Sequence, residues 1–382
     1  MKILVLGGAG AMGMVTVRDL AESPNVSEVI VGDISIERAN QLQSLAESEK
    51  VSVKRVDVSN QANLVEAMKE ASAVANATPY HLNIQIMKAA MKAGTNLTDL
   101  GGVYYTTRKQ LELDEDAREA GITVVIGCGL APGTTDILAK YGAGKLDTVD
   151  AVHIKYGEVN FTPAKYKWSF RTVLEEYTTG PVIYQNGEFK KLPPFSGKQV
   201  VKFPEPIGEQ TCCYGLYSGV ATLPRTLGKG VKVVDCLMSH REEDEHRIKV
   251  LNEMGLTSNE PISFKGLAVS PREFLLRTAP PPDAKAKDVA GAIVEVIGEK
   301  DGEKATFEYS LAYPYHENYK ASALAYLTGV PLSIASQRLA KGKIGKLGVL
   351  PPETALKPKP FFDELAERDI KINETIETTH IL

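Results

Sequence analysis

The stretch that decides the fold is KILVLGGAGAMG at residues 2–13, followed by EVIVGD at residues 28–33. The apolar run 2–6 has the pattern of a strand that is buried on both faces of a parallel sheet. It leads directly into a glycine-rich turn, after which residues 14–21 have helical periodicity. The second apolar run ends in Asp33, 20 residues after Gly13. This order of strand, turn, helix, strand and acid is typical of a dinucleotide-binding βαβ unit.

The glycines of the turn fit two spacings. Gly8, Gly10 and Gly13 match GxGxxG, whereas Gly7, Gly10 and Gly13 match GxxGxxG, so the sequence leaves the form of the turn open. With either spacing, glycine lets backbone N–H groups approach a pyrophosphate and lets the helix pack on the strand.

Asp33 and Asp57 are the acids expected near the cofactor. A carboxylate at Asp33 accepts hydrogen bonds from ribose hydroxyls and repels a 2′-phosphate, which favours NAD. Arg38, five residues later, would tolerate that phosphate, so NADP stays an alternative. Asp57 lies near the end of a third predicted strand, 51–58, where it either contacts the adenine edge or is a solvated strand-end acid.

Strands and helices continue to alternate after this point. The remaining predicted elements of the first half are strands 73–77, 96–100 and 122–126 and helices 66–71, 81–93 and 111–120. Six strands with helical crossovers predict an α/β fold with a Rossmann-type doubly wound parallel sheet. Ligands bind beyond the carboxyl ends of such strands, so loops 76–81, 99–105 and 127–136 should converge on nicotinamide and substrate. The predicted cofactor-binding residues are Gly8, Gly10, Ala11, Met12, Gly13, Asp33, Asp57, Ala77, Thr78, Pro79, Gly101 and Pro132.

The pattern changes near residue 150 to strand-like segments between loops rich in proline, glycine and aromatic residues. This predicts an inserted α+β domain for substrate binding, with a mainly antiparallel sheet. Strand-like segments are 151–156, 231–238 and 305–312, and Gly302 marks a hairpin that joins 292–297 to 306–313.

The C-terminal part is expected to return to the first domain. Residues 319–339 predict a helix of small residues that Thr328-Gly329-Val330-Pro331 interrupts, residues 345–353 a constrained loop and residues 360–368 a terminal helix. We therefore expect residues 1–130 and 318–382 to form the Rossmann domain and residues 131–317 to form the substrate domain.

Composition limits the kind of partner. A chain of 382 residues with 43% apolar and 24% charged residues fits two globular domains, and a net charge of −4 argues against a nucleic-acid or anionic-membrane partner. No apolar run approaches the roughly 20 residues that span a bilayer, and Met1-Lys2 leads straight into a strand rather than a signal peptide. The expected location is the cytoplasm.

The cysteines do not predict a metal site. Cys128, Cys212, Cys213 and Cys236 form no CxxC pair and have no histidine at metal-ligand spacing. Reduced thiols are expected, in keeping with a cytoplasmic protein.

With these landmarks, the chain resembles the saccharopine dehydrogenase family over nearly its whole length. The resemblance rests on the glycine turn and on Thr78-Pro79-Tyr80-His81, Thr98-Asp99-Leu100-Gly101-Gly102, Gly129-Leu130-Ala131-Pro132-Gly133, Trp168-Ser169-Phe170-Arg171 and Gly348-Val349-Leu350-Pro351-Pro352-Glu353. The segments 129–133 and 348–352 together are the specific part, because many unrelated families share the glycine turn.

The resemblance implies a homodimeric NAD(P)-dependent dehydrogenase that acts on CH–NH or CH–NH2 donors of a small amino-acid substrate. It also implies that the inserted α+β domain serves substrate binding and dimerisation. The leading interpretation is a glutamate-forming saccharopine dehydrogenase of lysine metabolism. Lysine 6-dehydrogenase and carboxynorspermidine dehydrogenase are alternatives with the same hydride chemistry. A catalytically silent nucleotide-binding regulator is an alternative of another class, and the coexistence of an intact glycine turn, Asp33, Asp99 and Arg171 argues against it.

Arg171 is the predicted anchor for a substrate carboxylate. The resemblance implies this role, and the planar guanidinium of arginine binds a carboxylate bidentately. The alternative is an ion pair with Glu175 or Glu176 on the same helix, of which Glu175 has the better spacing.

Proton transfer has three candidates, which follow predicted strands. Asp99 either stabilises a cationic amine and relays a proton through water, or caps the Gly101-Gly102 turn. Tyr80 either hydrogen-bonds substrate or nicotinamide ribose, or packs. His81 suits acid–base work or caps the helix that it begins.

Two further residues are predicted on the substrate side. The resemblance places Cys128 where saccharopine reductases carry an active-site cysteine, and we expect it to pack or orient rather than to act as a nucleophile, because nothing basic flanks it. Tyr214 is the other substrate-side candidate.

Overall fold

The computed structural model of the chain describes residues 1–161, 170–279 and 286–379. The first half alternates strands and helices, as its periodicity predicts. Its strands are β1 (Lys2–Leu6), β2 (Glu28–Asp33), β3 (Val51–Arg55), β4 (Ala73–Asn76), β5 (Leu97–Asp99) and β6 (Thr123–Val125). Its helices are α1 (Ala11–Glu22), α2 (Ile36–Ala46), α3 (Gln61–Lys69), α4 (Asn83–Ala93), α5 (Tyr104–Leu111), α6 (Asp114–Glu119) and α7 (Thr134–Gly144), with a 3-10 turn at Tyr80–Leu82.

The second half contributes the remaining elements. Its strands are β7 (Thr148–Asn160), β8 (Val182–Gln185), β9 (Glu188–Lys191), β10 (Gln199–Lys202), β11 (Glu209–Tyr214), β12 (Val233–Ser239), β13 (Ile262–Phe264), β14 (Leu267–Val269), β15 (Asp288–Lys300), β16 (Glu303–Pro314), β17 (Gly348–Leu350) and β18 (Asn373–Thr379). Its helices are α8 (Phe170–Thr178), α9 (Leu223–Thr226), α10 (Glu242–Glu253), α11 (Pro271–Thr278), α12 (Ala323–Ala340), α13 (Pro352–Ala355) and α14 (Pro358–Ala366), with a 3-10 turn at Ser218–Ala221.

The first sheet is parallel throughout. Within the described ranges its order is β17-β6-β5-β4-β1-β2-β3. The order reverses between β1 and β4, which places the ligand crevice of such folds beyond the carboxyl ends of these two strands. The predicted α/β fold with a Rossmann-type sheet is thereby confirmed.

Strand β17 was not predicted, because residues 345–353 read as a constrained loop. The structure pairs Val349 with Val124 of β6 and buries both side chains. Three residues are too few for a periodic signal, so only the pairing with β6 makes this segment a strand.

Helix α12 runs continuously through Pro331, and the predicted interruption at residues 328–331 is wrong. Gly329 lies against α1, where an added Cβ would come within 2.7 Å of Met12 O. The Thr16 hydroxyl donates to Gly329 O at 2.9 Å. Close packing on α1 therefore stabilises the helix across a residue that lacks a backbone donor.

The second sheet is mixed and follows the order β10-β11-β12-β7-β15-β16-β18, with β8 and β9 off its path. The β15–β16 hairpin has the predicted location: Ile297 pairs with Thr306, and Asp301 and Gly302 both have positive φ. Strand β18 pairs with β16. Residues 373–379 therefore lie in the second sheet, although residues 318–382 were all expected in the Rossmann domain.

One continuous core connects the two sheets. Apolar side chains of β1, α12 and β15, including Ile3, Leu332 and Ala292, belong to the same buried cluster. Shared apolar packing thus holds the two sheets together. Among the described helices, none has the length and apolarity that a bilayer crossing requires.

Candidate active site

The glycine turn between β1 and α1 has the GxxGxxG form. Gly7 has a φ of +68°, and its carbonyl accepts a hydrogen bond from Gly10 N–H at 2.9 Å. A Cβ on Gly13 would lie 2.2 Å from Gly7 O, so that position tolerates no side chain. A Cβ on Gly8 would instead lie 2.9 Å from a methyl group of Val31 and 3.3 Å from one of Val17, so glycine lets the helix pack closely on the sheet here.

The start of α1 fits a dinucleotide pyrophosphate. Gly10 is its N-cap and provides no side-chain cap, so backbone N–H groups at the positive end of the helix stay available to an anion. The Asp33 carboxylate accepts hydrogen bonds from Ala9 N–H at 3.1 Å and from Ser35 N–H at 2.9 Å. These contacts fix an acid at the end of β2, where a ribose would lie.

Asp57 follows β3, and its side chain forms hydrogen bonds with a residue two positions later in the chain. Its Oδ1 accepts from the Ser59 N–H at 2.9 Å and from the Ser59 hydroxyl at 2.6 Å, and these bonds lower the pKa of Asp57. This geometry favours the strand-end alternative over a contact with the adenine edge.

A cleft of about 870 Å³ opens between the carboxyl edge of the first sheet and helices α8 and α11. It brings together most of the predicted cofactor and substrate residues. Those that line it are Gly10, Ala11, Met12, Ala77, Thr78, Pro79, Tyr80, Gly101, Pro132 and Arg171. The convergence of loops 76–81, 99–105 and 127–136 on one cleft is therefore observed.

Asp99 is fully buried and does not line this cleft. Its Oδ1 accepts from Gly101 N–H at 2.6 Å and from Gly127 N–H at 2.9 Å, while its Oδ2 accepts from the Gln110 side chain at 2.6 Å. Burial raises the pKa of this carboxyl despite these bonds. The arrangement favours the capping alternative over proton relay: Asp99 joins the loop after β5 to the loop after β6.

Tyr80 and His81 lie side by side at the cleft. Tyr80 lines it, and the edge of its ring meets the His81 ring with centroids 6.1 Å apart. The His81 side chain is exposed and is not among the residues that line the cleft. Partial desolvation and the nearby charge of Arg171 lower the pKa of His81, so its neutral form predominates at neutral pH.

Cys128 and Tyr214, the two predicted substrate-side residues, are not among the residues that line the cleft. Cys128 is buried, its Sγ lies 3.7 Å from Val125 O, and burial raises the pKa of this thiol well above its ordinary range. The Tyr214 ring packs over Gly197, where an added Cβ would lie 2.4 Å from a ring carbon. Both residues have packing roles.

Arg171 lines the cleft, but its ion-pair partner lies on another element. Its Nη1 and Nη2 contact the two carboxylate oxygens of Glu273 on α11, each at 2.9 Å. Glu175, the partner considered from helical spacing, lies 3.5 Å from Arg272 instead. Trp168 and Ser169 of the same motif lie outside the described residues.

Three charged residues of the cleft were missed as functional candidates: Glu176, Glu273 and Arg277. Glu176 entered only as a partner for Arg171, and Arg277 of α11 carried no signal in the sequence. Burial and the neighbouring carboxylates of Glu158 and Glu175 raise the pKa of Glu176 to about 8. Arg277 is exposed and forms no ion pair with any described residue.

Two buried carboxyl groups, those of Asp136 and Glu353, support the loop 127–136 from outside the cleft. Asp136 caps α7 by accepting from Gly133 N–H at 2.7 Å, and Glu353 accepts from the Thr226 hydroxyl at 2.8 Å. Asp136 Oδ1 and Glu353 Oε2 have no hydrogen-bond partner among the described residues. Burial and their mutual repulsion raise the pKa of Glu353 to about 8, and burial raises that of Asp136 to about 6.

Metal ligation has no support here. The described part of the chain contains no group of three or more histidine, cysteine, aspartate or glutamate side chains that could hold a metal ion.

Comparison with known proteins agrees with this architecture. Residues 3–125 match the saccharopine dehydrogenase NADP binding domain, and residues 129–370 match the saccharopine dehydrogenase C-terminal domain. Carboxyaminopropylagmatine dehydrogenase of Synechocystis is 21% identical, with 98% of each chain covered. Carboxynorspermidine synthase of Vibrio alginolyticus is 26% identical, with 96% of this chain and 94% of the relative covered.

A solved structure shows the same fold. Apo saccharopine dehydrogenase (L-Glu forming) from Saccharomyces cerevisiae superposes with a TM-score of 0.75 at 17% identity, covering 98% of this chain and 99% of the yeast chain. The matched domains span nearly all of the chain, and the glycine turn fits a dinucleotide. The protein belongs to the saccharopine dehydrogenase family of NAD(P)-dependent dehydrogenases.

Proposed function

We propose that the protein makes or breaks the C–N bond of a carboxylated secondary amine. One observation carries this proposal: the dinucleotide turn and a charged wall from the second domain line the same cleft. Gly10, Ala11 and Met12 come from the turn, whereas Arg171, Glu176 and Arg277 come from α8 and α11. A cofactor on the turn would therefore face a substrate that carries both acidic and basic groups.

The bound nicotinamide supplies the acceptor or donor of a hydride at the carbon of the C–N bond. The chain itself has to orient the substrate and exclude competing geometries. Tyr80 and Pro132, next to the turn, bound the space in which the reacting carbon lies. Asp99 acts indirectly, because it holds the two loops that carry Gly101 and Pro132 in one arrangement.

The carboxylate anchor is assigned to Arg171 together with Arg277. Arg171 reaches the cleft with its guanidinium directed at Glu273, and a substrate carboxylate would replace or share that partner. Arg277 forms no ion pair with a described residue and supplies a second positive charge from α11. Arginine suits this task because its fork binds a carboxylate with two parallel hydrogen bonds.

Among enzymes of this chemistry, the relatives named carboxynorspermidine synthase and carboxyaminopropylagmatine dehydrogenase support a carboxylated polyamine as the substrate. They match over nearly the full length of both chains. Glutamate-forming saccharopine dehydrogenase is the second candidate, because the yeast enzyme has the same fold and Arg171 stands in the motif that led to this prediction. A homodimer in the cytoplasm remains a prediction from the sequence.

The test follows absorbance of the reduced nicotinamide with purified protein. In the oxidative direction the donors are carboxynorspermidine, saccharopine and free lysine, each with NAD and with NADP. We expect carboxynorspermidine to give the highest kcat/KM. Oxidation of saccharopine alone would favour the second candidate, and oxidation of lysine alone would contradict both.

A catalytically silent protein gives a different result. It would bind reduced cofactor, seen as a change in nicotinamide fluorescence, yet turn over no amine, imine or secondary amine of the panel. That outcome would overturn the proposed function without contradicting the dinucleotide site.

A further inference from the structure

Asp136 and Glu353 are two buried acids on neighbouring helices. Asp136 lies near the start of α7 and is fully buried, and Glu353 of α13 is 3% exposed. Helix α13 packs on both α7 and α9. After burial itself, the charge of Asp136 has the largest effect on the pKa of Glu353, so the two carboxyls lie within electrostatic reach of each other.

The hydrogen-bond donors near these acids all contact one oxygen of each carboxyl. Asp136 Oδ2 accepts from Gly133 N–H at 2.7 Å and from the Tyr217 hydroxyl at 2.9 Å. Glu353 Oε1 accepts from the Thr226 hydroxyl at 2.8 Å. Asp136 Oδ1 and Glu353 Oε2 receive no donor from the described residues. Buried oxygens that accept no hydrogen bond are costly, and a proton between them would remove this cost.

Among the described residues, no cation balances the charge of the pair. Lys140, one helical turn after Asp136, donates from Nζ to Thr226 O instead, and Arg225 of α9 is exposed. Burial and nearby acids raise the pKa values of the other titratable groups that face the pair, which are therefore neutral: Cys128 after β6, Tyr217 before the 3-10 turn at Ser218–Ala221, and Cys236 of β12. Two carboxylates in these surroundings would repel each other strongly.

The loop that Asp136 caps forms part of the cleft, which Gly129, Leu130, Ala131 and Pro132 line. Gly133, the next residue, has a φ of +126°, and its N–H is the one that Asp136 accepts. Thr134 N–H closes the turn by donating to Gly129 O at 2.9 Å. A displacement of Asp136 would therefore also displace the residues that line the cleft.

We propose that Asp136 and Glu353 share one proton, which joins the loop 127–136 to α13 and makes both acids positioning residues for the cleft. A carboxyl that donates to a carboxylate gives each of the two oxygens a partner and removes one of two like charges. The shared proton does not depend on the proposed function, and only its effect on turnover rests on that proposal. Loss of the proton would leave two carboxylates whose repulsion pushes the loop away from α13.

The pKa values of the pair agree with one proton at neutral pH. Burial raises the pKa of Asp136 to about 6, and burial with the charge of Asp136 raises that of Glu353 to about 8. Between these values the pair as a whole holds one proton. The shared proton therefore leaves as pH rises above about 8.

Infrared spectroscopy detects the shared proton without any ligand, because a protonated carboxyl and a carboxylate absorb at different frequencies. At pH 7, Glu353→Gln should lose the absorption of one protonated carboxyl relative to the unaltered protein. Asp136→Asn should lose it as well, since either amide can donate to the remaining carboxylate, and it decides the question if the first variant does not fold.

The control for the infrared measurement is Glu364→Gln, which removes a carboxylate that pairs with Arg338 at 2.6 Å. It should lose no absorption of a protonated carboxyl. Undiminished absorption in a folded Glu353→Gln or Asp136→Asn protein would overturn the shared proton.

Hydrogen exchange tests whether the proton holds the loop. In the unaltered protein, protection of amides 129–135, corrected for the chemical exchange rate, should fall about tenfold between pH 7 and pH 9, the effect of one hydrogen bond to a charged group. Protection should stay constant in Glu353→Gln, whose amide donates at every pH. Glu353→Ala has no donor and should show the reduced protection already at pH 7. Equal pH dependence in the unaltered protein and Glu353→Gln would overturn the positioning role.

Turnover distinguishes this inference from the proposed function. The ratio of kcat in the unaltered protein to kcat in Glu353→Gln should fall about tenfold from pH 7 to pH 9, because a displaced loop no longer orients the reactants. Taking the ratio cancels the pH dependence that both proteins share. No turnover in either protein, together with the infrared loss, would contradict the proposed function and support the shared proton. A constant ratio in active proteins would overturn the positioning role alone.

Discussion

Arg171 and Glu273 lie 102 residues apart in the chain and form a bidentate ion pair, with both nitrogen–oxygen distances at 2.9 Å. The pair links α8 to α11 across one side of the cleft. It also means that the predicted carboxylate anchor is engaged by a carboxylate of the protein. The Glu273 side chain is 55% exposed, so solvent screening makes this partner replaceable.

The first prediction concerns Arg171→Ala. The variant should raise KM for a carboxylate substrate by roughly 2–4 kcal/mol of binding free energy, because it removes a charged bidentate contact. Affinity for reduced cofactor should not change. Glu273→Gln is the matched variant: it removes the competing carboxylate and should lower KM. An unchanged KM in Arg171→Ala would exclude Arg171 from the substrate site.

The second prediction concerns the choice between NAD and NADP. Ala9 N–H and Ser35 N–H hold the Asp33 carboxylate at the end of β2, where it would meet a 2′-phosphate. NADH should therefore bind more tightly than NADPH, and Asp33→Ser should raise NADPH affinity by roughly tenfold through loss of like-charge repulsion. Fluorescence titration with both cofactors measures this. Tighter binding of NADPH by the unaltered protein would show that Asp33 does not select the cofactor.

The third prediction separates positioning from catalysis at Asp99. Asp99→Ala leaves three buried donors, on Gly101, Gly127 and Gln110, without their acceptor. Each orphaned donor costs on the order of 1–3 kcal/mol, so the free energy of unfolding should fall by several kcal/mol. Chemical denaturation measures this loss. An unchanged free energy of unfolding would contradict this positioning role of Asp99.

The fourth prediction is a pH dependence of stability from Asp136 and Glu353. Both folded-state pKa values are raised, to about 6 and about 8, so the folded protein holds protons that the unfolded chain releases. Their stabilising contribution is fully present below the unfolded pKa values, near pH 4, and is lost as pH rises through about 6 and then about 8.

Glu353→Gln tests this assignment. The variant cannot ionise at this position, so its free energy of unfolding should decline less steeply between pH 5 and pH 9 than that of the unaltered protein. Urea denaturation at several pH values provides the comparison. Equal slopes for the two proteins would mean that other groups control the pH dependence.

The local sequence pattern was sufficient to predict the structure where that structure depends on residues close together in the chain. The unit from β1 to β2 follows from apolar runs and from glycines at positions that exclude a Cβ, such as Gly13. The β15–β16 hairpin follows from strand alternation around Asp301 and Gly302, whose backbones adopt positive φ. In both cases a few adjacent residues set the backbone conformation, so the sequence alone predicts the elements, although the structure decided between the two glycine spacings.

Tertiary structure decided which side chains face the cleft and which partners they have. Helical spacing placed Glu175 near Arg171, yet packing of α11 on α8 supplied Glu273 instead. Asp99 ends a strand as a catalytic acid would, but its carboxylate accepts from Gly101, from Gln110 on α5 and from Gly127 in the loop after β6. Glu176 gained its raised pKa from burial and from carboxylates that the fold brings to it. Charge and desolvation act through space and depend on residues that are distant in the chain. The local sequence therefore predicts the glycine turn, but it does not predict the electrostatics of the cleft beside that turn.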